Sequence, residues 1–361
     1  MNILGIGILF SRGRGVDCFE KALREGWQEP SEVTVHSEKD WRSFAYKVNA
    51  DTFTDKTILK KMRRSDRLSK MAVSAAADAM RNSGIEDINR ERLGVIVASA
   101  FGAHGTTFDF LDGILDFGEA GVSPTVFSNS VHNAAASYIS SVFDIHGPTL
   151  TVTQFHFSFQ YALQLAQAWL NEERCDYVLA GAVDQYGDVL HYVYDCKLGQ
   201  ASDGQIKPFH FHPTFQVPGE GAAFFLMSNK TSKNMFCTVE HIRFGKDPDE
   251  HVPIDLNIAD LNIIDTDGML SDESVYLSSL SPDIPTASYS PIFGSMMTGS
   301  AFHCAAGALM LKKQILYANP VHDNPHGIHL LKETGHAQIA LIRCIRYNCS
   351  SDNSVIYLKK S

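Results

Sequence analysis

Few side chains in this sequence have the type and spacing to do chemistry. His156 has Ser158 two residues further on, so the imidazole could take a proton from the hydroxyl. No acidic residue that could orient the ring lies nearby in sequence, and both are expected to fill space. His303 and Cys304 are adjacent, and neighbours on a helix point about 100° apart, poor geometry for mutual activation. Beside Ala305 and Ala306, Cys304 reads as a small hydrophobe. Seven cysteines are scattered without a CxxC or a Cys/His zinc pattern. That usage implies reduced thiols, a cytoplasmic protein, no metal centre and no cofactor. Lys56, Lys60, Lys61, Arg63, Arg64 and Arg67 form a single basic cluster.

These residues sit in a chain of 361 with 44% hydrophobic and 20% charged positions, the proportions of a folded globular protein. The net charge of −10 argues against a nucleic-acid or membrane-surface partner, since both call for a basic field. Met1–Phe10 is apolar but lacks a basic lead, and it falls short of the ~18 residues of a membrane span. It reads as a first strand.

Helices and strands alternate after it. Residues 66–82 carry an apolar stripe at Leu68, Met71, Ala72, Ala75, Ala76 and Ala79. Apolar runs at 93–100, 177–184 and 222–227 predict strands covered on both faces. Thr149–Thr153 predicts a short strand, followed by helix 159–171. A small-residue helix is expected over 302–316, with strands at 337–344 and 354–358. The order predicts an α/β fold with helices covering the sheets. The polar stretch 228–260 marks the join between two closely packed halves, 1–230 and 231–361.

Four ordered segments add a resemblance: Gly147-Pro148-Thr149-Leu150-Thr151-Val152, Leu179-Ala180-Gly181-Ala182-Val183-Asp184, Pro218-Gly219-Glu220-Gly221-Ala222, and Met297-Thr298-Gly299 leading to Ala305-Ala306-Gly307. With Ser123-Pro124-Thr125 and Ser130–Ala136, they resemble the β-ketoacyl synthases of the thiolase-like fold along almost the whole chain. The resemblance implies a layered α-β-α-β-α architecture of two pseudo-repeated halves. It also implies a condensing site with a cysteine at the start of a buried helix and two histidines from the second half. A helix N-terminus favours a thiolate, which takes an acyl chain from a carrier protein.

The sequence departs at all three positions. His156, flanked by Phe155 and Phe157, stands where the cysteine belongs. Asp267, in Asp265-Thr266-Asp267-Gly268, stands for the first histidine. Counting back from Ala305 places Ala301 at the second, with Ser300 beside it and His303 expected on another helix face. The glycine-rich segment of the family near the C-terminus is replaced by Leu341-Ile342-Arg343-Cys344-Ile345-Arg346.

A scaffold without its chemistry resembles the chain-length factor, the inactive partner of a type II polyketide or polyene ketosynthase. This implies a heterodimer with a cysteine-bearing ketosynthase and contact with an acyl carrier protein. Phe108, Leu111, Leu115 and Phe117, with Phe155 and Phe157, would line the product tunnel. Lys60, Lys61, Arg63, Arg64 and Arg67 would meet the acidic carrier, and Glu220 would be a pairing carboxylate. The other reading is a homodimeric enzyme acting on carrier-bound chains, as decarboxylase or acyltransferase, with His156, Ser158 or Cys304.

Overall fold

The computed structural model describes residues 1–35, 41–53, 55–245 and 259–361. Of the expected join at 228–260, residues 246–258 lie outside the described residues. The principal strands are β1 (Asn2–Phe10), β2 (Leu93–Ser99), β3 (Thr149–Thr153), β4 (Tyr177–Asp184), β5 (Gly221–Ser228), β6 (Cys237–Gly245), β7 (Leu261–Ile264), β8 (Thr286–Ala287), β9 (Leu341–Tyr347) and β10 (Asn353–Lys359). The helices are α1 (Val16–Glu25), α2 (Lys56–Lys61), α3 (Arg67–Ser83), α4 (His104–Phe117), α5 (Pro124–Ser130), α6 (Ala134–Phe143), α7 (Ser158–Asn171), α8 (Asp188–Lys197), α9 (Ser290–Phe293) and α10 (Ser300–Lys313).

The strand order is β8-β7-β9-β10-β6-β1-β5-β4-β2-β3. Taken outward from the β1–β6 junction, each half runs first, fifth, fourth, second, third strand. In each half the first, fifth and fourth strands are antiparallel, and the fourth, second and third are parallel. The repeat is therefore one of topology, with the helices α7 and α10 following β3 and β8 respectively. The halves join where Asn2 and Ile3 pair with Thr238 and Cys237.

Strand alternation divides the layers. On β4, Val178, Ala180 and Ala182 face a core shared with α7, α10 and strands β6, β7, β9 and β10. Leu179 and Val183 face the opposite core, with α3 and α6. This is the period-2 rule for a strand buried on both faces. α3 approaches β1 closely because Gly5 and Gly7 have no Cβ, and one at Gly7 would collide with the Ala75 carbonyl. The outer face of β7, β9 and β10 is covered by loops and a 3-10 helix, Ser274–Ser279, with Phe209, Phe211 and Tyr276 supplying the bulk.

Two elements, α10 and β9, differ most from expectation in their boundaries. α10 starts at Ser300 and stops at Lys313, because Gln314 turns into the left-handed region at φ 55°. Strand β9 starts at Leu341 rather than 337, since the Gln314 side chain takes the Ile339 amide and Asp260 takes those of Ala340 and Leu341. No helix among the described residues is long and apolar enough to cross a membrane.

Candidate functional site

The loop before α7, the start of α10, the end of β7 and strand β9 converge on a buried ionic cluster. Asp265, just past β7, is its hub. Arg346 of β9 forms an ion pair with Asp265 Oδ2, and Ser300 Oγ donates to the same oxygen at 2.6 Å. Gln160 Nε2 donates to Ser300 Oγ at 2.9 Å, tying α7 to α10. His303 Nε2 accepts from the Tyr289 amide at 3.1 Å, so the ring proton is on Nδ1, which lies 3.3 Å from Asp265 Oδ1. Burial alone would raise the Asp265 pKa, but Arg346 and His303 overcome it and hold the carboxyl below the usual range.

Asp267 lies 3.9 Å from the same guanidinium and accepts backbone donors from Met269 at 3.0 Å and Met296 at 3.3 Å. Burial, reinforced by the Asp265 charge, pushes its pKa up. Glu273, which accepts from the Asp267 and Gly268 amides, is pushed well above the usual range by burial and then by Asp267. One arginine thus serves one firmly ionised carboxylate, with two protonation-prone carboxyls behind it.

His156 adjoins this cluster. Burial and the neighbouring Arg346 charge depress its pKa to about 4, so the ring is neutral near pH 7, and its buried Nδ1 has no hydrogen-bond partner among the described residues. Ser158 is fully buried with an unpartnered Oγ. The Cys304 thiol is buried and pushed up to about 12. Cys344, lining the gap between Asp265 and His303, is pushed well above the ordinary thiol range by burial. Neither thiol has a source of thiolate, and that gap does not admit a water-sized sphere.

Helix phase separates the residues at the start of α10. Ala301 is packed in the core, while Ser300 and His303 both reach Asp265. Residues three apart share a helix face, so Ser300 occupies the site-facing position and His303 joins it.

The other expected residues divide as follows. Phe108, Leu111, Leu115 and Phe117 are exposed on α4, with Leu115 82% and Phe117 74% exposed. Phe155 is also exposed, its ring 5.0 Å from that of Phe101. Phe157 instead is buried against Phe244. Lys60, Lys61, Arg63 and Arg64 are exposed, though Lys61 Nζ donates to the Val142 carbonyl at 2.9 Å. Arg67 is committed elsewhere: its Nε donates to Glu220 Oε2 at 3.0 Å, so a docking role for it is corrected to a structural one. Glu220 is fully buried and also accepts the Val48 and Tyr186 amides.

Sequence reasoning missed Asp265, Arg346, Glu273 and Gln160. The available signal was two arginines, Arg343 and Arg346, inside an otherwise apolar strand, which require buried acceptors. It also missed a cleft lined by Phe101, His104, Asp184, Tyr186, His191, Tyr194 and Met297. There Asp184 links the halves by accepting Thr298 N and Oγ1 at 3.0 and 2.8 Å and the Ala100 amide at 3.0 Å.

A twice-repeated five-stranded order around two central helices, with an altered polar site at their N-termini, defines a condensing-enzyme scaffold. The chain belongs to the β-ketoacyl synthase family: the family model for the β-ketoacyl synthase N-terminal domain matches residues 1–232. A 3-oxoacyl-[acyl-carrier-protein] synthase 2 of Coxiella burnetii is 24% identical over 188 residues, 50% of this chain and 45% of that protein. A putative polyketide β-ketoacyl synthase 1 of Streptomyces cyaneus is 26% identical over 242 residues, 62% of this chain and 57% of that protein. The aligned regions thus span about half the length of these relatives.

Among solved structures, the ishigamide ketosynthase/chain length factor has a TM-score of 0.84 at 15% identity, covering 100% of this chain and 98% of that one. A type II polyketide acyl-carrier protein in complex with its ketosynthase gives 0.81 at 15% identity, covering 100% and 99%. A β-ketoacyl synthase from Burkholderia phymatum STM815 gives 0.83 at 16%, covering 100% and 99%. At these identities the likeness establishes the fold.

Proposed function

We propose that this chain is a non-catalytic subunit of the chain-length-factor type. It pairs with a cysteine-bearing ketosynthase that elongates chains carried on an acyl carrier protein, and it shapes the product tunnel. The observation that carries this reading is the state of the converged site. Where a thiolate and two histidines would cooperate, the chain has a neutral His156, a buried Asp267 and Ser300, locked around an Asp265–Arg346 ion pair. An imidazole cannot form a stable thioester, and the adjoining thiols are buried and protonated.

Pairing is supported by the surface. α4 buries only its first residue, His104, although it carries Phe108, Leu111, Leu115 and Phe117. Beside it β3 is an edge strand with largely exposed side chains, a free row of backbone donors and acceptors. An apolar face on this scale requires a cover. The exposed Lys60, Arg63 and Arg64 offer a basic surface for an acidic carrier.

The test is acylation. The chain and a ketosynthase encoded beside it are mixed with an acyl carrier protein charged with an acyl thioester, and each chain's intact mass is read. The acyl mass is expected on the ketosynthase only, and His156→Ala should leave that acylation intact. Acyl mass on this chain, or loss of partner acylation in His156→Ala, would overturn the reading. Reversing Arg63 and Arg64 to Glu should weaken carrier binding, measured by titration calorimetry; unchanged affinity would remove this chain from the carrier contact.

A further inference from the structure

The face that α4 presents carries charge of one sign. Asp109, Asp112 and Asp116 are all exposed, interleaved with the exposed Phe108, Leu111 and Leu115. From Leu93 to Glu173 the sequence contains no Lys or Arg, a span that includes α4, α5, α6, β3 and α7. The patch is continuous: Phe110 of α4 lies 5.3 Å from Phe127 of α5, and Phe101 at the foot of α4 meets Phe155 beyond β3 and Tyr194 of α8.

A second observation is independent of exposure. Asp116 is the penultimate residue of α4, at the negative end of the helix dipole, and that last turn contains no basic residue. A carboxylate there opposes the dipole, the reverse of the usual arrangement. No Lys or Arg between residues 93 and 173 offsets it.

From this arrangement we infer that the aspartate row on α4 selects the partner: it bars a second copy of this chain and admits a related subunit presenting Lys or Arg. The inference rests on the heterodimer reading above. In a twofold dimer of identical chains the same patch meets itself, so both sides of the apolar contact carry the acidic row and neither brings a Lys or Arg from residues 93–173. Like charges placed together in an interface disfavour that partner, while a basic row opposite would neutralise the aspartates and complete the dipole at Asp116. The apolar residues supply adhesion, and the aspartates decide which chain receives it.

The experiment is sedimentation of the full chain at low and high salt, alone and with the neighbouring ketosynthase, for the natural sequence and for D109N/D112N/D116N. These changes are on exposed side chains and retain their size. The natural chain alone is expected to resist dimerisation at low salt and to self-associate more as salt rises. The triple variant should self-associate roughly tenfold more tightly or better, and bind the ketosynthase roughly tenfold more weakly. Unchanged association in both assays would overturn the proposal. So would a natural homodimer that weakens when the aspartates are removed, because the row would then be self-complementary. Self-association gained by the variant, with no ketosynthase binding by either chain, would uphold the charge barrier against a second copy and overturn the heterodimer reading instead.

Discussion

His156 is a base that burial keeps neutral, and the same physics recurs at two other histidines. His104, His156 and His191 are each depressed from the ordinary value of 6.5 to about 4, first by burial. A base with a lowered folded pKa stabilises the fold above its unfolded pKa, and that contribution is lost as pH falls through the folded value. Asp267 and Glu273 act oppositely: their raised pKa values favour the fold at lower pH. Asp66 and Asp184 are raised by burial as well, so four carboxyls oppose three histidines and the sign is read by difference. The Tm of His104→Gln/His191→Gln should fall less, or rise more, from pH 7 to pH 5 than that of the natural chain. The same pH dependence of Tm in the variant and the natural chain would show that these rings are not buried neutral. The ion pair makes a second residue-scale expectation. Arg346→Met leaves the ionised Asp265 buried without its partner, at a cost of about 3–5 kcal/mol in urea unfolding. Adding Asp265→Leu should recover much of that loss, because two apolar groups need no counter-charge.

At the scale of elements, the central strands and helices were legible because their chemistry is local. Continuous apolar runs at β2, β4 and β5 and the alanine stripe of α3 follow from burial on both faces and from helix period. The ends were less legible, since α10 stops on the backbone turn at Gln314 and β9 starts where side chains from Gln314 and Asp260 release the backbone. The site was half legible: motif order pointed to His156 and Asp267, which both lie at the cluster, but Asp265 and Arg346 lie 81 residues apart and meet through the parallel β7–β9 pairing. Ser300 and His303, three residues apart on α10, share the face toward Asp265, which helix phase decides. α4 reads as an ordinary amphipathic helix in sequence, yet its apolar stripe faces outward. If that stripe closes a tunnel shared with the partner, Phe108→Ala and Leu111→Ala should each lengthen the product mixture made by the paired enzyme, read by mass spectrometry. An unchanged distribution for both would take the tunnel end away from α4.

On the scale of the molecule, the two halves bury α7 and α10 between them but leave α4, α5 and the β3 edge uncovered. Among the described residues the sheet is packed on both faces while this surface stays open, and on the proposed pairing the stability of the chain depends on what completes it. A partner that binds only the folded chain stabilises it by mass action, about 2.7 kcal/mol at a free concentration one hundred times Kd. The Tm of this chain is expected to rise continuously as its ketosynthase is added in excess, with no plateau at one equivalent. The rise should shrink in high salt if charge guides the association. The control is a β3 change, Thr151→Pro, on the edge strand: it removes a backbone donor without touching the ionic cluster. If pairing uses that edge, the variant should retain its own Tm to within a few degrees yet gain much less from the partner. Equal gains with and without the proline would move the contact off the β3 edge and leave α4 and α5 to carry it.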